Sequence, residues 1–376
     1  MFHDIAYFDY AATTFMPERV ISVIDEYHRT INMAPYRGNS ILSKTANEQF
    51  EDSRINIRSF FVDDTYNLIF YPGASYGLNA IVYGLEHMIH PMDVILLGPY
   101  EHHSNYLPWR ELSHRTGAIV FEMPLLEDGS INLEYLESIK EQVKIVAFSS
   151  IANTNGYRID VQLLRGIFGD SVVYISDDSQ KCGHSRIERS QYADCHIVNS
   201  HKMYGPKGLA GALVNEKFMY YLRPSVFGGG MIERIGFPNV WKDGIQRYEC
   251  GSIDVGCCLG WYEACLYMRE VGLDEICRQE QMCAQSVRSV LSGNPHVSIV
   301  SVNGCSSIVS FYHQEIHAHD IERMFSARNI VVRTGHLCSQ TSIAKFGMHP
   351  LVRVSFGIGV TTEDLGTLEK AIKGVL

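Results

Sequence analysis

Apolar residues along this chain fall into two alternating textures. Short runs that are apolar throughout, bounded by turn-forming residues, recur between longer stretches whose apolar positions repeat with helical spacing; this alternation predicts βα units around a parallel sheet. The strand candidates are residues 67–71, 93–97, 118–121, 145–148, 172–175, 196–198 and 211–214, and the helical candidates are 19–31, 45–61, 77–87, 133–140 and 161–168. From about residue 253 the texture changes to a long helical stretch ending near 291, followed by shorter segments at 297–301, 307–312, 319–328 and 351–356. That change predicts a second, smaller α+β domain. No internal repeat or low-complexity linker separates the two parts, so they are expected to pack closely.

Composition narrows the class. A chain of 376 residues can hold two domains with a sizeable core. Its 46% hydrophobic and 20% charged fractions are ordinary for a soluble globular protein. A net charge of −10 without any long Lys/Arg run argues against nucleic acid and anionic membrane as partners. Residues 1–4 lack a basic n-region and no membrane-length apolar stretch follows, so neither a signal peptide nor a transmembrane span is expected. Ten cysteines without a CxxC pair or framework spacing predict a reducing, cytoplasmic setting with no disulfides and no metal site. Cys257, Cys258, Cys265, Cys277 and Cys283 lie in apolar, helix-periodic sequence and read as small hydrophobes. Cys338 does not.

The candidate chemistry centres on residues 176–208. Asp177 ends the apolar run Val172-Val173-Tyr174-Ile175, and Lys202 follows among small and turn-forming residues in Ser200-His201-Lys202-Met203-Tyr204-Gly205-Pro206. An Asp at the carboxyl end of a buried strand, with a later Lys in such a setting, is what a pyridoxal phosphate (PLP) enzyme needs. The Asp keeps the pyridine nitrogen protonated, and the Lys forms the Schiff base. Taken singly, each is an ordinary strand-end or loop residue.

Ligands in open α/β sheets sit outside the carboxyl ends of the strands, and further candidates fall there. Pro72-Gly73-Ala74-Ser75-Tyr76-Gly77 is a small-residue turn entering a helix, where backbone N–H groups and the Ser75 hydroxyl can hold a phosphate. Tyr100-Glu101-His102-His103-Ser104-Asn105 offers an imidazole able to stack on a cofactor ring and move protons. Asn153, in Ile151-Ala152-Asn153-Thr154-Asn155-Gly156, and Gln180, just past Asp177, can each hydrogen-bond a cofactor hydroxyl.

Together with Tyr7-Phe8-Asp9-Tyr10-Ala11-Ala12-Thr13-Thr14 and Arg333-Thr334-Gly335-His336-Leu337-Cys338, these words occur in an order that resembles the cysteine desulfurases of PLP fold type I, aminotransferase class V. The resemblance runs from about residue 7 to residue 370. The short spacing from Cys338 to Arg353 resembles the group II, SUF-type branch. The fold so implied is α/β and aspartate aminotransferase-like, with a mostly parallel central sheet in a large domain over 13–255. A smaller α+β domain over 1–12 and 256–376 carries the cysteine.

Carried onto this chain, the resemblance makes Lys202 the Schiff-base lysine, Asp177 the pyridinium partner and Gln180 a ligand of the ring hydroxyl. His102 becomes the stacking imidazole, with the adjacent His103 an alternative. Ala74, Ser75, Asn199 and His201 would hold the phosphate, and Ser252 would complete that cradle across a homodimer interface, near Gly228-Gly229-Gly230. Asn153 and Arg353 would grip the substrate carboxylate, Arg353 through its bidentate fork, with Arg37 and Arg333 also in reach of the substrate. Lys202 would remove the α-proton, and the Cys338 thiolate would attack the sulfur of L-cysteine, releasing alanine and keeping a persulfide for a sulfur-acceptor protein. His336 or Arg333 would raise the thiolate fraction of Cys338.

Two positions depart from the family pattern. Asn199 stands where the family has a phosphate-binding Ser, with Ser200 one place later, and Asn39-Ser40-Ile41 stands where related enzymes place a His after Arg37-Gly38. Other class V reactions stay open beside the desulfurase, namely C–S β-lyase, selenocysteine lyase and aminotransferase, as does a non-catalytic partner-binding role.

Overall fold

The structure, a computed structural model, describes residues 5–301 and 307–376; the expectation built on residues 1–4 lies outside them. Seven strands form one sheet in the order Tyr66–Tyr71, Ala210–Asn215, Cys195–Asn199, Val173–Asp177, Val143–Ser149, Val94–Leu97, Ile119–Glu122. All run the same way except Ala210–Asn215, which is antiparallel to both neighbours. The carboxyl ends at Tyr71, Leu97, Ser149, Asp177 and Asn199 therefore share one edge of the sheet.

Continuous apolar runs suit a sheet covered on both faces. On one face Leu68, Phe70, Val198 and Leu213 pack against the helices Glu18–Thr30, Ile41–Phe61 and Val255–Val271, with Trp261 buried among them. On the other, Ile69, Ile95, Ile175 and Ile197 meet the helices Ala74–Leu85 and Leu107–Thr116.

The long helical stretch after residue 253 is two helices. Gly272, at φ +89°, caps Val255–Val271 and opens Leu273–Leu291, a left-handed conformation that glycine adopts without steric penalty. The first helix packs on the large sheet, whereas Ala284, Val287 and Leu291 of the second cover a four-stranded antiparallel sheet ordered Val297–Ile299, Ile308–His313, Leu351–Ser355, Arg333–Gly335. The amino-terminal strand Ala6–Tyr7 joins this smaller unit by pairing with Ile330–Val331, and Asp9 bridges to Ser355. Elements not anticipated include the helices Leu107–Thr116, Gln340–Ala344 and Thr362–Val375, the strands Ala6–Tyr7, Ile330–Val331 and Arg333–Gly335, and the hairpin Ile232–Arg234 with Val240–Trp241.

A buried ion pair ties the helix Ile41–Phe61 to the turn before Ser252. Arg54 donates to Glu249 Oε1 at 2.6 Å, to Oε2 at 3.0 Å and to the Leu68 carbonyl at 2.8 Å, while the Phe70 N–H donates to Glu249 Oε1 at 2.7 Å. Removing one partner of such a pair strands the other charge. Glu249→Ala is therefore expected to cost about 3–5 kcal/mol in denaturant unfolding. A cost near that of an exposed pair would mean that Glu51, which already pairs with Arg54 Nε at 3.3 Å, compensates the remaining charge.

Candidate active site

The shared strand edge opens into a cavity of about 380 Å³ between the two units. Lys202 enters it from the turn Ser200–Lys202, directly after the strand Cys195–Asn199. Space for that turn depends on Gly183, where an added Cβ would stand 2.2 Å from the Lys202 carbonyl oxygen. Asp177 ends the neighbouring strand and accepts the Ser179 N–H on Oδ1 at 3.0 Å. Burial pushes the Asp177 carboxyl up, against the pull of Ser179 and Lys202. Burial likewise pushes the Lys202 ammonium down, Asp177 opposing and Arg353 adding to the effect. A lysine displaced in this direction is closer to the neutral amine that acts as nucleophile or base.

His102 lines the same cavity. Ser104 donates its backbone N–H to His102 Nδ1 at 3.1 Å, and the Ser104 hydroxyl lies 3.0 Å from that nitrogen and 2.5 Å from the Ser75 hydroxyl. Nδ1 is thus an acceptor, which leaves the ring proton on Nε2. Burial, followed by the Lys202 charge, lowers the His102 pKa to about 4. Ring-nitrogen NMR of histidine-labelled protein, assigned with His102→Gln, should accordingly find His102 neutral and Nε2-protonated from pH 8 down to about 5.5. A His102 titration near the ordinary value of about 6.5 would remove this assignment.

A second group organises the side nearest the smaller sheet. Asp9 is 3% exposed and bridges two arginines, with Oδ1 accepting from Arg353 Nη2 at 3.0 Å and Oδ2 from Arg333 Nε at 3.0 Å. Arg353 Nη1 donates to the Asn153 carbonyl at 3.0 Å, leaving Nε without a partner. The Asn153 amide donates to the Leu337 carbonyl at 2.8 Å. Cys338, next in sequence, is exposed and lines the cavity mouth.

Buried polar atoms are nearly always paired. Here Asn153 Oδ1, Ser179 Oγ, Asn199 Oδ1 and Arg353 Nε are buried, unpartnered and on residues that line one cavity. With the Lys202 amine, the Asp177 carboxyl and the helix start at Ala74 and Ser75, that donor and acceptor set fits a polar, anionic ligand with a basic ring nitrogen, as PLP is.

The cavity brings together Ala74, Ser75, His102, Asn153, Asp177, Gln180, Asn199, His201, Lys202, Arg333, Cys338 and Arg353. Arg37 and Ser252 lie elsewhere. Arg37 lines a recess of about 50 Å³ with Gly230 and Lys242, and Ser252 lines one of about 330 Å³ with Tyr76 and Tyr248. Gly229 accepts the Gly251 N–H at 2.8 Å, which sets the glycine run beside the Ser252 turn. Ser200 points away from the cavity, donating its hydroxyl to the Leu209 carbonyl at 2.7 Å, so Asn199 alone faces it. Asp9, Ser104 and Ser179 were not singled out in sequence. All three stood inside stretches already marked, residues 7–14, 100–105 and 176–208, which was the signal available.

Residues 6–368 match the aminotransferase class-V family. The chain is 30% identical to a probable cysteine desulfurase of Halalkalibacterium halodurans, covering 98% of this chain and 92% of that one. It is 28% identical to a probable cysteine desulfurase of Pyrococcus abyssi, covering 99% and 95%. Among solved structures, the cysteine desulfurase of Thermococcus onnurineus superposes with a TM-score of 0.92 at 28% identity, covering 99% of this chain and 95% of that one. An Escherichia coli cysteine desulfurase shares the fold with a TM-score of 0.90 at 21% identity, covering 99% and 94%.

Proposed function

Because the chain belongs to the aminotransferase class-V family, we propose that it is a PLP-dependent cysteine desulfurase, converting L-cysteine to L-alanine and holding the released sulfur as a persulfide on Cys338. One observation carries the reading: an exposed thiol at the mouth of the cavity that also holds the Lys202 amine and the Asp177 carboxyl.

When bound, PLP supplies an electron sink at the substrate's α-carbon, provided its ring nitrogen stays protonated. Asp177 supplies the negative charge that keeps it so. The Lys202 amine anchors the cofactor and, once freed, takes the α-proton of the substrate and returns a proton. The neutral His102 ring, which lines the cavity, would lie against the cofactor and offer its Nε2–H to the reacting groups. Gln180 would meet the ring hydroxyl, while Ser75, Ala74, Asn199 and His201 would hold the phosphate. Ser252 of a second copy would close that cradle, which makes a homodimer part of the proposal.

Arg353 engages the substrate carboxylate through its unpartnered Nε–H and the adjacent Nη2 edge, since Nη1 is committed to the Asn153 carbonyl. Asp9 holds that edge in position. Attack by the Cys338 thiolate forms an S–S bond as the substrate Cβ–S bond breaks. The electron pair stays with the substrate carbon, which gains a proton to become alanine. No external oxidant or reductant is needed.

Incubation of the PLP-loaded protein with L-cysteine and a thiol reductant should yield alanine and sulfide in equal amounts. Pyruvate and ammonia in place of alanine, with sulfide still released, would identify a β-eliminating lyase and end the desulfurase reading.

A further inference from the structure

Cys338 sits on a short link in an unfavourable conformation. Only residues 336–339 separate the strand Arg333–Gly335 from the helix Gln340–Ala344. Two of them, Leu337 at φ +54° and Cys338 at φ +52°, are non-glycine residues in the left-handed region. Such backbone persists only where its surroundings hold it.

The holding groups belong to the large sheet's loops. Besides the Asn153 bond to the Leu337 carbonyl, the His103 backbone N–H donates to the Cys338 carbonyl at 2.7 Å, and the Ser339 hydroxyl donates to the Glu101 carbonyl at 2.5 Å. His103 also acts through its ring, because Nε2 accepts the Gln340 N–H at 3.1 Å. Gln340 opens the helix, so its N–H has no acceptor within that helix. His103 thus grips the chain on both sides of the cysteine. Unlike His102, it does not line the cavity.

We propose that His103 is a positioning residue for the nucleophile: its backbone N–H and its Nε2 together hold residues 337–340 in the turn that presents Cys338 to the cavity. The catalytic consequence rests on the desulfurase reading, but the grip itself does not. His103→Leu and His103→Gln both keep the backbone N–H, so these variants report on the ring alone. Glutamine retains a side-chain acceptor at similar reach, and leucine has similar bulk without one. Gln340→Pro removes the same hydrogen bond from the other side, at the first helical position, where proline is tolerated.

The test compares His103→Leu, His103→Gln and Gln340→Pro with the parent, all PLP-loaded. Amide hydrogen exchange followed by mass spectrometry over residues 336–344 should be about fivefold faster or more in His103→Leu, the equivalent of one lost hydrogen bond, and should return to the parent rate in His103→Gln. Alanine formation should show kcat lowered about 10- to 100-fold in His103→Leu and Gln340→Pro with KM within about twofold, and His103→Gln within about threefold of the parent. Parent-like exchange and turnover in His103→Leu and Gln340→Pro would overturn the proposal, as would a His103→Gln as impaired as His103→Leu. A parent that forms no alanine from L-cysteine fails the desulfurase reading instead, and the exchange comparison still decides the grip.

Discussion

Cys338→Ala is expected to lower alanine formation from L-cysteine by on the order of 10⁴-fold or more, the scale of losing a nucleophile outright. Among the described residues no other thiol lines the cavity. Cys182 is buried and its thiol is pushed up to about 12, chiefly by burial, so it offers almost no thiolate at neutral pH. The variant should still bind PLP, and its absorbance should still respond to L-cysteine, because Lys202, Asp177 and Arg353 are untouched. Quantifying alanine, sulfide and the spectrum on the same samples separates these effects. Parent-like alanine formation in the variant would show that Cys338 is not the attacking thiol and overturn the persulfide assignment.

Lys202→Ala should abolish turnover by a different route. The residue is assigned both the anchoring of the cofactor and the movement of the α-proton, and proton transfer by a positioned side chain alone is worth about 10²–10⁴-fold. Borohydride treatment should fix PLP covalently to the parent, read as an intact-mass increment, and leave Lys202→Ala without it. Cys338→Ala should gain the increment like the parent. Covalent fixation in Lys202→Ala would assign the anchoring amine to another lysine and dismantle the site as drawn here.

The central strands of the large sheet were legible because they are buried on both faces. Continuous apolar runs such as Val94-Ile95-Leu96-Leu97 have no competing helical period, and the observed strand covers those four residues. The helix Leu107–Thr116 was obscured by its own composition, since Arg110, Glu111, His114 and Arg115 crowd a short segment whose buried side is mainly Trp109 and Leu112. The stretch after residue 253 looked continuous because periodicity does not register the backbone reversal at Gly272.

At the site, the residues that fall on strand ends or helix starts were legible because position in an α/β fold carries chemistry. Asp9 was legible only as part of a motif. Its role depends on meeting Arg353, a partner at the far end of the chain, and no local pattern encodes such a pairing. Arg37 lies outside the cavity within its own chain, and Ser252, assigned to the cradle of a second copy, lines a separate recess of this one.

The short link that carries Cys338 also determines how sulfur can leave. An extended residue spans at most about 3.6 Å, so even with every tether cut the Cys338 backbone stays within about 7 Å of Gln340 and about 11 Å of Gly335. With the tethers made, Cys338 is a fixed hand-over point rather than a travelling carrier. On the proposed reading, an acceptor must therefore come to the exposed Cys338 at the cavity mouth. Which molecules can collect the sulfur is then decided by the acceptor's shape, not by how far the donor can swing.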